Sequence, residues 1–230
     1  MTHGSAEPSP EEAVAVALAM FARDGYEGTK LDAVARACGV SKRMLHYHFG
    51  NKAGLYQRAL SLAMERVAPP ERLISRNYAV PVEGMRRFVD ATFHSFRDHP
   101  ECVRLLLREN LDPTTDVDDS GSDAREHSVL LHLERILMQG QDAGAFRPGI
   151  SADDVLALTV SLCEFQVAHT ATAYTVSRIK VDDPRNVEGL RRLVIDTVLA
   201  FLTSHIPHSG YDSYLVSEPA PETIDVADIY

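Results

Sequence analysis

TKLDAVARACGVSKRMLHYHFGNK, residues 29–52, decides the fold. Two short stretches with helical periodicity lie on either side of Cys38-Gly39-Val40-Ser41. Leu31, Val34 and Ala35 predict one buried face on the first stretch. Thr29 and Asp32, three apart, predict a capping box in which Asp replaces Glu. Gly39 permits a tight turn, and Ser41 is placed to N-cap a second helix over residues 42–49. Leu45 and Phe49 stand four apart on that helix, so they share one side. Two helices this short, joined by so tight a turn, make a helix-turn-helix, with Val40 plugging the angle between them. Gly50-Asn51 closes the second helix, and Asn51 can cap the next.

The charge distribution singles out the same segment. The 230 residues carry 23 Lys+Arg against 33 Asp+Glu, a net charge of −10. Spread evenly, that charge excludes an anionic polymer as partner. It is not spread evenly. Residues 29–58 hold Lys30, Arg36, Lys42, Arg43, Lys52 and Arg58 against Asp32 alone, a local charge of +5, which leaves −15 on the other two hundred residues. A basic reading head on an acidic body fits nucleic acid approached from one face. In a helix-turn-helix the start of the second helix meets base edges in the major groove. Lys42 and Arg43 can donate to guanine, and Met44 can touch a thymine methyl. His46, Tyr47 and His48 are suited to phosphate or groove contacts, and Lys52 stands at a helix N-terminus, where phosphate is attracted.

Working outward, the chain reads as all-α with about nine helices. Residues 1–10 read as a leader. Val14, Ala17, Leu18 and Phe21 give the first helix its apolar face, and Gly25 is expected to end it. After the reading head come a helix from Lys52, with Leu55, Ala59 and Leu62 inward, and then helices over residues 82–99, 102–111, 125–143, 153–177 and 187–205. Residues 112–127 contain six acids and one Arg and read as a loop leading into a helix. Residues 207–230 read as an acidic tail. The expected division is 1–10, 11–65, 66–206 and 207–230.

Residues 12–60 resemble the DNA-binding domain of TetR-family transcriptional regulators. The match is carried without gaps by Phe21, Gly25-Tyr26, Thr29, Val34-Ala35, Ala37, Gly39-Val40-Ser41, Leu45, Tyr47-His48-Phe49, Lys52 and Leu55. The resemblance implies DNA contacts from Thr29, Lys30, Ser41, Lys42, Arg43, Met44, His46, Tyr47, His48 and Lys52. Two positions depart from the pattern: His46 stands where Tyr is usual, and Lys30 where Thr is common. The rest of the chain resembles the family in length, helical pattern and two long final helices. It implies a homodimer on a double-stranded, palindromic operator, and a small-molecule effector that releases it, most simply a repressor in the cytoplasm.

Helix 153–177 is apolar on two sides, which requires burial on two sides. Leu158, Leu162 and Phe165, with Val194, Val198 and Phe201 of the last helix, are the candidate dimer interface. Candidate effector contacts are polar groups inside apolar helices: His94, Glu109, Asn110, Glu164, Gln166, His169 and Tyr174. A catalytic site is not expected, because no GxSxG, P-loop, HExxH or GxGxxG occurs. No metal or cofactor is expected either. His46 and His48 diverge by about 200° on a helix and cannot share an ion. Cys38, Cys102 and Cys163 are odd in number and widely spaced, so they read as buried thiols, with a redox role for Cys38 as the minority reading. The sequence shows no signal peptide and no run of about 18 apolar residues for a membrane span. The alternative to an effector is control by a protein partner through the acidic loop or tail.

Overall fold

The computed structural model describes residues 9–114, 124–207, 210 and 213–215. Most of the leader, residues 115–123 of the acidic stretch and residues 216–230 of the tail lie outside the described residues. The regular structure of the described residues is all helical, without a strand. In chain order the helices are α1 (Pro10–Gly28), α2 (Leu31–Cys38), α3 (Lys42–Phe49), α4 (Lys52–Val67), α5 (Glu71–Ile74), α6 (Pro81–Asp98), α7 (Pro100–Leu111), α8 (Ala124–Asp142), α9 (Ala152–Ala168), α10 (Thr170–Ser177) and α11 (Pro184–Thr203).

Among the described residues eleven helices replace the expected nine, for two reasons. The single turn α5 follows Pro69-Pro70, where no helix was expected. The helix expected over 153–177 breaks at His169, and α9 and α10 meet at 82°. The Thr170 hydroxyl donates to the Gln166 carbonyl at 2.9 Å, a local bond that competes with the helical ladder.

At α1 the start is corrected and the break is as expected. The helix begins at Pro10, because Ser9 and Glu12 form a full capping box: Ser9 Oγ accepts from the Glu12 amide and Glu12 Oε2 from the Ser9 amide. Gly25 ends the regular run as expected: it takes φ 75°, breaks the ladder, and a separate last turn follows to Gly28.

The molecule is organised around two packing centres. α1 and α4 pack on each other and on α7. α6 packs against α8, α9 and α11, and α7 also touches α9. Phe21, Tyr56, Phe88 and Phe93 are among the largest fully buried side chains of these contacts. α2 and α3 are the exception: they hang on α1 and α4 through a few residues, chiefly Val34, Ala35 and Leu45. Among the described residues no single helix is long and apolar enough to cross a membrane.

Candidate nucleic-acid interface

The turn between α2 and α3 is set by Gly39, at φ 71° and ψ 21° in the left-handed region. A side chain there is strained, so glycine is the residue that closes α2. The Val40 amide then bonds back to the Ala35 carbonyl at 3.0 Å. Ser41 Oγ accepts from the Met44 amide at 3.1 Å and starts α3 as expected. The serine proton remains available to point outward. Behind α3, α4 approaches so closely that a Cβ on Gly54 would collide with the Phe49 carbonyl.

Leu45 is the buried anchor of α3, while Met44 and Phe49 are half-buried. Lys42, Arg43, His46, Tyr47 and His48 are exposed, with Tyr47 at 84%. Lys42 Nζ lies 3.2 Å from Asp32 across the turn, an exposed pair of the kind worth little in water and readily exchanged for a phosphate or a base. The His48 ring meets Tyr47 edge-on at 5.1 Å. His46 Nδ1 is 2.8 Å from the Gly50 carbonyl. A carbonyl only accepts, so Nδ1 carries the proton, and in the neutral ring Nε2 is an acceptor. His46 therefore donates to a phosphate only as imidazolium. Lys52 Nζ sits 4.2 Å from the Tyr26 ring centroid, a cation–π seat that holds the ammonium at the start of α4.

Thr29 is a correction. It is 1% exposed, its hydroxyl donates to the Gly25 carbonyl at 2.8 Å, and its amide caps the end of α1. It neither faces the groove nor caps α2, whose N-cap is Lys30 without a side-chain bond. Lys30 is exposed beside it.

Sequence reasoning missed the groups that tie this head to the body. The break at Gly25 leaves carbonyls of the preceding turn without helical partners. Arg108 of α7 supplies donors to them, Nε to Ala22 at 3.0 Å and a terminal nitrogen to Arg23 at 3.1 Å. The Tyr56 hydroxyl of α4 donates to Glu109 of α7 at 2.8 Å, in buried surroundings. Burial and then the Glu109 carboxylate push the Tyr56 phenol well above its ordinary range. Phe21 and Tyr26 pack edge-on against the same ring, at 4.9 and 5.0 Å. Partners 53 and 86 residues apart leave no local pattern to read.

The expected effector residues do not converge. Glu109 belongs to the α4–α7 joint and also accepts from the Thr114 amide. Gln166 is buried but donates to the Phe93 carbonyl at 3.3 Å. His94 is exposed beside Asp90, and Asn110 is exposed. His169 stacks on Phe165 at the surface, Tyr174 lies out near Arg178 and Lys180, and Glu164 is half-buried. Polar residues in an apolar helix here mark outward faces and helix joints. A mainly apolar, half-open pocket of about 310 Å³ lies elsewhere, between α4, α6, α7, α8 and α9, with Met64, Thr92, Phe96, Leu106, Leu130 and Val160 in its walls.

The interface expectation is also corrected in part. Val194 and Val198 face the chain's own core, at 2% and 0% exposure. Leu158 and Leu162 are half-buried, and Phe165 is exposed. Phe201 is half-covered by the Arg147 guanidinium, 4.6 Å above its ring. Leu193 is the exposed large apolar side chain of α11, at 59%. All three cysteines are buried and free. Burial pushes the Cys38 thiol up, which keeps it from the reactive thiolate form. Among the described residues no cluster of three potential metal ligands occurs.

Comparison with known proteins agrees with this geometry. Residues 13–59 match the family described as bacterial regulatory proteins, tetR family, and residues 81–198 match the tetracyclin repressor-like C-terminal domain. The HTH-type transcriptional repressor NicS of Pseudomonas putida is 25% identical over 179 residues, covering 74% of this chain and 81% of NicS. The repressor SCO4008 of Streptomyces coelicolor is 26% identical over 153 residues, 66% of this chain and 74% of that protein. The structure of PfmR, a TetR family regulator of Thermus thermophilus, superposes with a TM-score of 0.60 at 25% identity, over 81% of this chain and 96% of PfmR. AibR, solved with isovaleryl coenzyme A and operator DNA, shares the fold with a TM-score of 0.58 at 21% identity, over 84% and 97% of the two chains.

Proposed function

Because this chain belongs to the TetR family of transcriptional regulators, we propose that it is a cytoplasmic, effector-responsive repressor that binds a palindromic operator as a homodimer. Residues 11–65 read DNA, residues 66–206 bind the effector and pair the protomers, and residues 207–230 form an acidic tail. The observation that carries the reading is α3 itself. Its apolar anchor Leu45 is buried, and Lys42, Arg43, His46 and Tyr47 stand exposed in the one strongly basic segment of an acidic chain. Arg43 and Lys42 reach base edges; Ser41, His46, Tyr47, His48, Lys30 and Lys52 hold the phosphates.

One α3 reads few base pairs, so a second copy is needed. The half-buried Leu158 and Leu162 with exposed Phe165 on α9, and exposed Leu193 on α11, offer the apolar face for pairing. Release follows from α4. It carries Lys52 at its start, meets Glu109 in its middle through Tyr56, and walls the cavity with Met64 near its end. An effector that displaces Met64 shifts the helix on which α3 rests, and so the spacing of the two reading heads. The test is footprinting on the DNA upstream of the chain's own gene. A protected inverted repeat is expected, and Arg43→Ala should weaken its protection relative to flanking DNA.

A further inference from the structure

A second recess lies where α6 gives way to α7 and α9 gives way to α10, on residues separate from those of the pocket under α4. Arg97, in the last turn of α6, and Arg104, in the second turn of α7, both line it. Both are exposed, and among the described residues neither guanidinium forms an ion pair or a hydrogen bond. Other arginines of the body are paired, Arg87 with Glu83, and Arg191 with Asp90 and Glu188. Glu101, between Arg97 and Arg104 in sequence, accepts from the Cys102 thiol at 3.9 Å instead. Asp182 also lines the recess; it is exposed and pairs with neither arginine. The rest of the floor is largely apolar: Leu107 of α7, Val167 of α9, and Val181 and Val187 at the start of α11. Val181 and Val187 are buried, although the chain on either side of Val181 is exposed. The 82° break between α9 and α10 sets Thr170 and Ala171 at the same recess.

We propose that this recess binds an organic oxyanion, a carboxylate or a phosphate on an apolar chain, with Arg97 and Arg104 as its clamp. The two sites share no residue, so the inference does not rest on the effector reading above. The paired oxygens of a carboxylate or a phosphate match the planar fork of a guanidinium. One exposed ion pair gains little in water. Here two guanidiniums meet one anion, and the apolar chain of the same molecule leaves water against Leu107 and Val167. A simple anion uses the clamp without the floor, and an alcohol uses the floor without the clamp.

The experiment is isothermal calorimetry on the full chain without DNA, at one ionic strength, with octanoate, octyl phosphate, acetate and octan-1-ol as probes. At least one of the two eight-carbon anions is expected to bind at least about tenfold more tightly than acetate, and the tighter of the two identifies the head that the clamp takes. The double variant Arg97→Gln/Arg104→Gln should weaken that anion at least about fivefold and leave octan-1-ol as it is in wild type. Arg72→Gln/Arg76→Gln, an equal loss of charge on exposed residues at α5, should bind the anion like wild type. Four results overturn the proposal. Neither eight-carbon anion binds; acetate binds as tightly as they do; the anion binds the Arg97/Arg104 variant unchanged; or the Arg72/Arg76 variant loses as much. Octan-1-ol binding that falls together with the anion in the Arg97/Arg104 variant also overturns it, because the arginines then act on the fold and not on the charge.

Discussion

Tyr56 of α4 and Glu109 of α7 are joined by a 2.8 Å hydrogen bond in which the phenol donates to the carboxylate, buried between the DNA-reading head and the helical body. With Arg108, one residue earlier, bonded to the carbonyls of Ala22 and Arg23, α7 grips both α4 and α1. The head is thereby mounted on the body through two adjacent side chains.

Tyr56→Phe leaves the Glu109 carboxylate short of its donor in a buried place. The expected cost is about 1–3 kcal/mol of folding stability, measured by urea titration at neutral pH. Glu109→Gln keeps an acceptor for the phenol and should cost less. If both variants are as stable as wild type, the bond does not hold the joint.

Lys52→Ala should weaken binding to all DNA sequences alike and lower the salt-dependence slope by about one. Arg43→Ala should instead relax discrimination at particular base pairs while leaving the salt dependence nearer to wild type. Fluorescence anisotropy on cognate and scrambled duplexes across a salt series separates the two effects.

Asp154 of α9 accepts from the backbone amides of Ser151, Tyr214 and Leu215, so it ties residues 213–215 to the start of its helix. Burial raises its carboxyl, but the hydrogen bonds outweigh burial and leave it below the usual 3.8. A depressed carboxyl contributes stability that is present above the unfolded value and is lost as pH falls through the folded one. Asp154→Asn should cost about 1–3 kcal/mol at pH 7. The difference from wild type should shrink below about pH 4, seen as converging melting temperatures.

His132 of α8 is fully buried among Tyr78 and Phe88, and neither ring nitrogen has a hydrogen-bond partner among the described residues. Burial, then the nearby Arg135, pushes it below its usual 6.5, against a weaker opposing pull from the Ile74 backbone. Protonation therefore favours the unfolded chain, and its destabilising effect grows as pH falls below the unfolded value. His132→Leu should be at least as stable as wild type at pH 7.5, and its advantage should widen at pH 5.5. Calorimetric melting at the two pH values decides it.

The reading head was legible because its signals are local. Gly39, Ser41, Leu45 and Asn51 act within four residues of themselves, through a left-handed turn, two caps and one buried side chain. The error at Thr29 is also local. A threonine ahead of a helix reads as its cap, yet here the hydroxyl closes the short turn that follows the break at Gly25. The body was legible as helices but not as sites. Val194 and Val198 fit an apolar face equally well whether that face meets another helix of the same chain or a second protomer. The pocket escaped notice because its walls are ordinary apolar residues from five helices, and only packing decides that they leave space between them.

The most direct test of the account is selection of duplex DNA from a random library by the full chain, with native mass spectrometry of the selected complex. The predicted result is an inverted repeat with half-sites about one helical turn apart, bound by an even number of chains and lost when either half is scrambled. A selected site without two-fold symmetry, bound by a single chain, would contradict it.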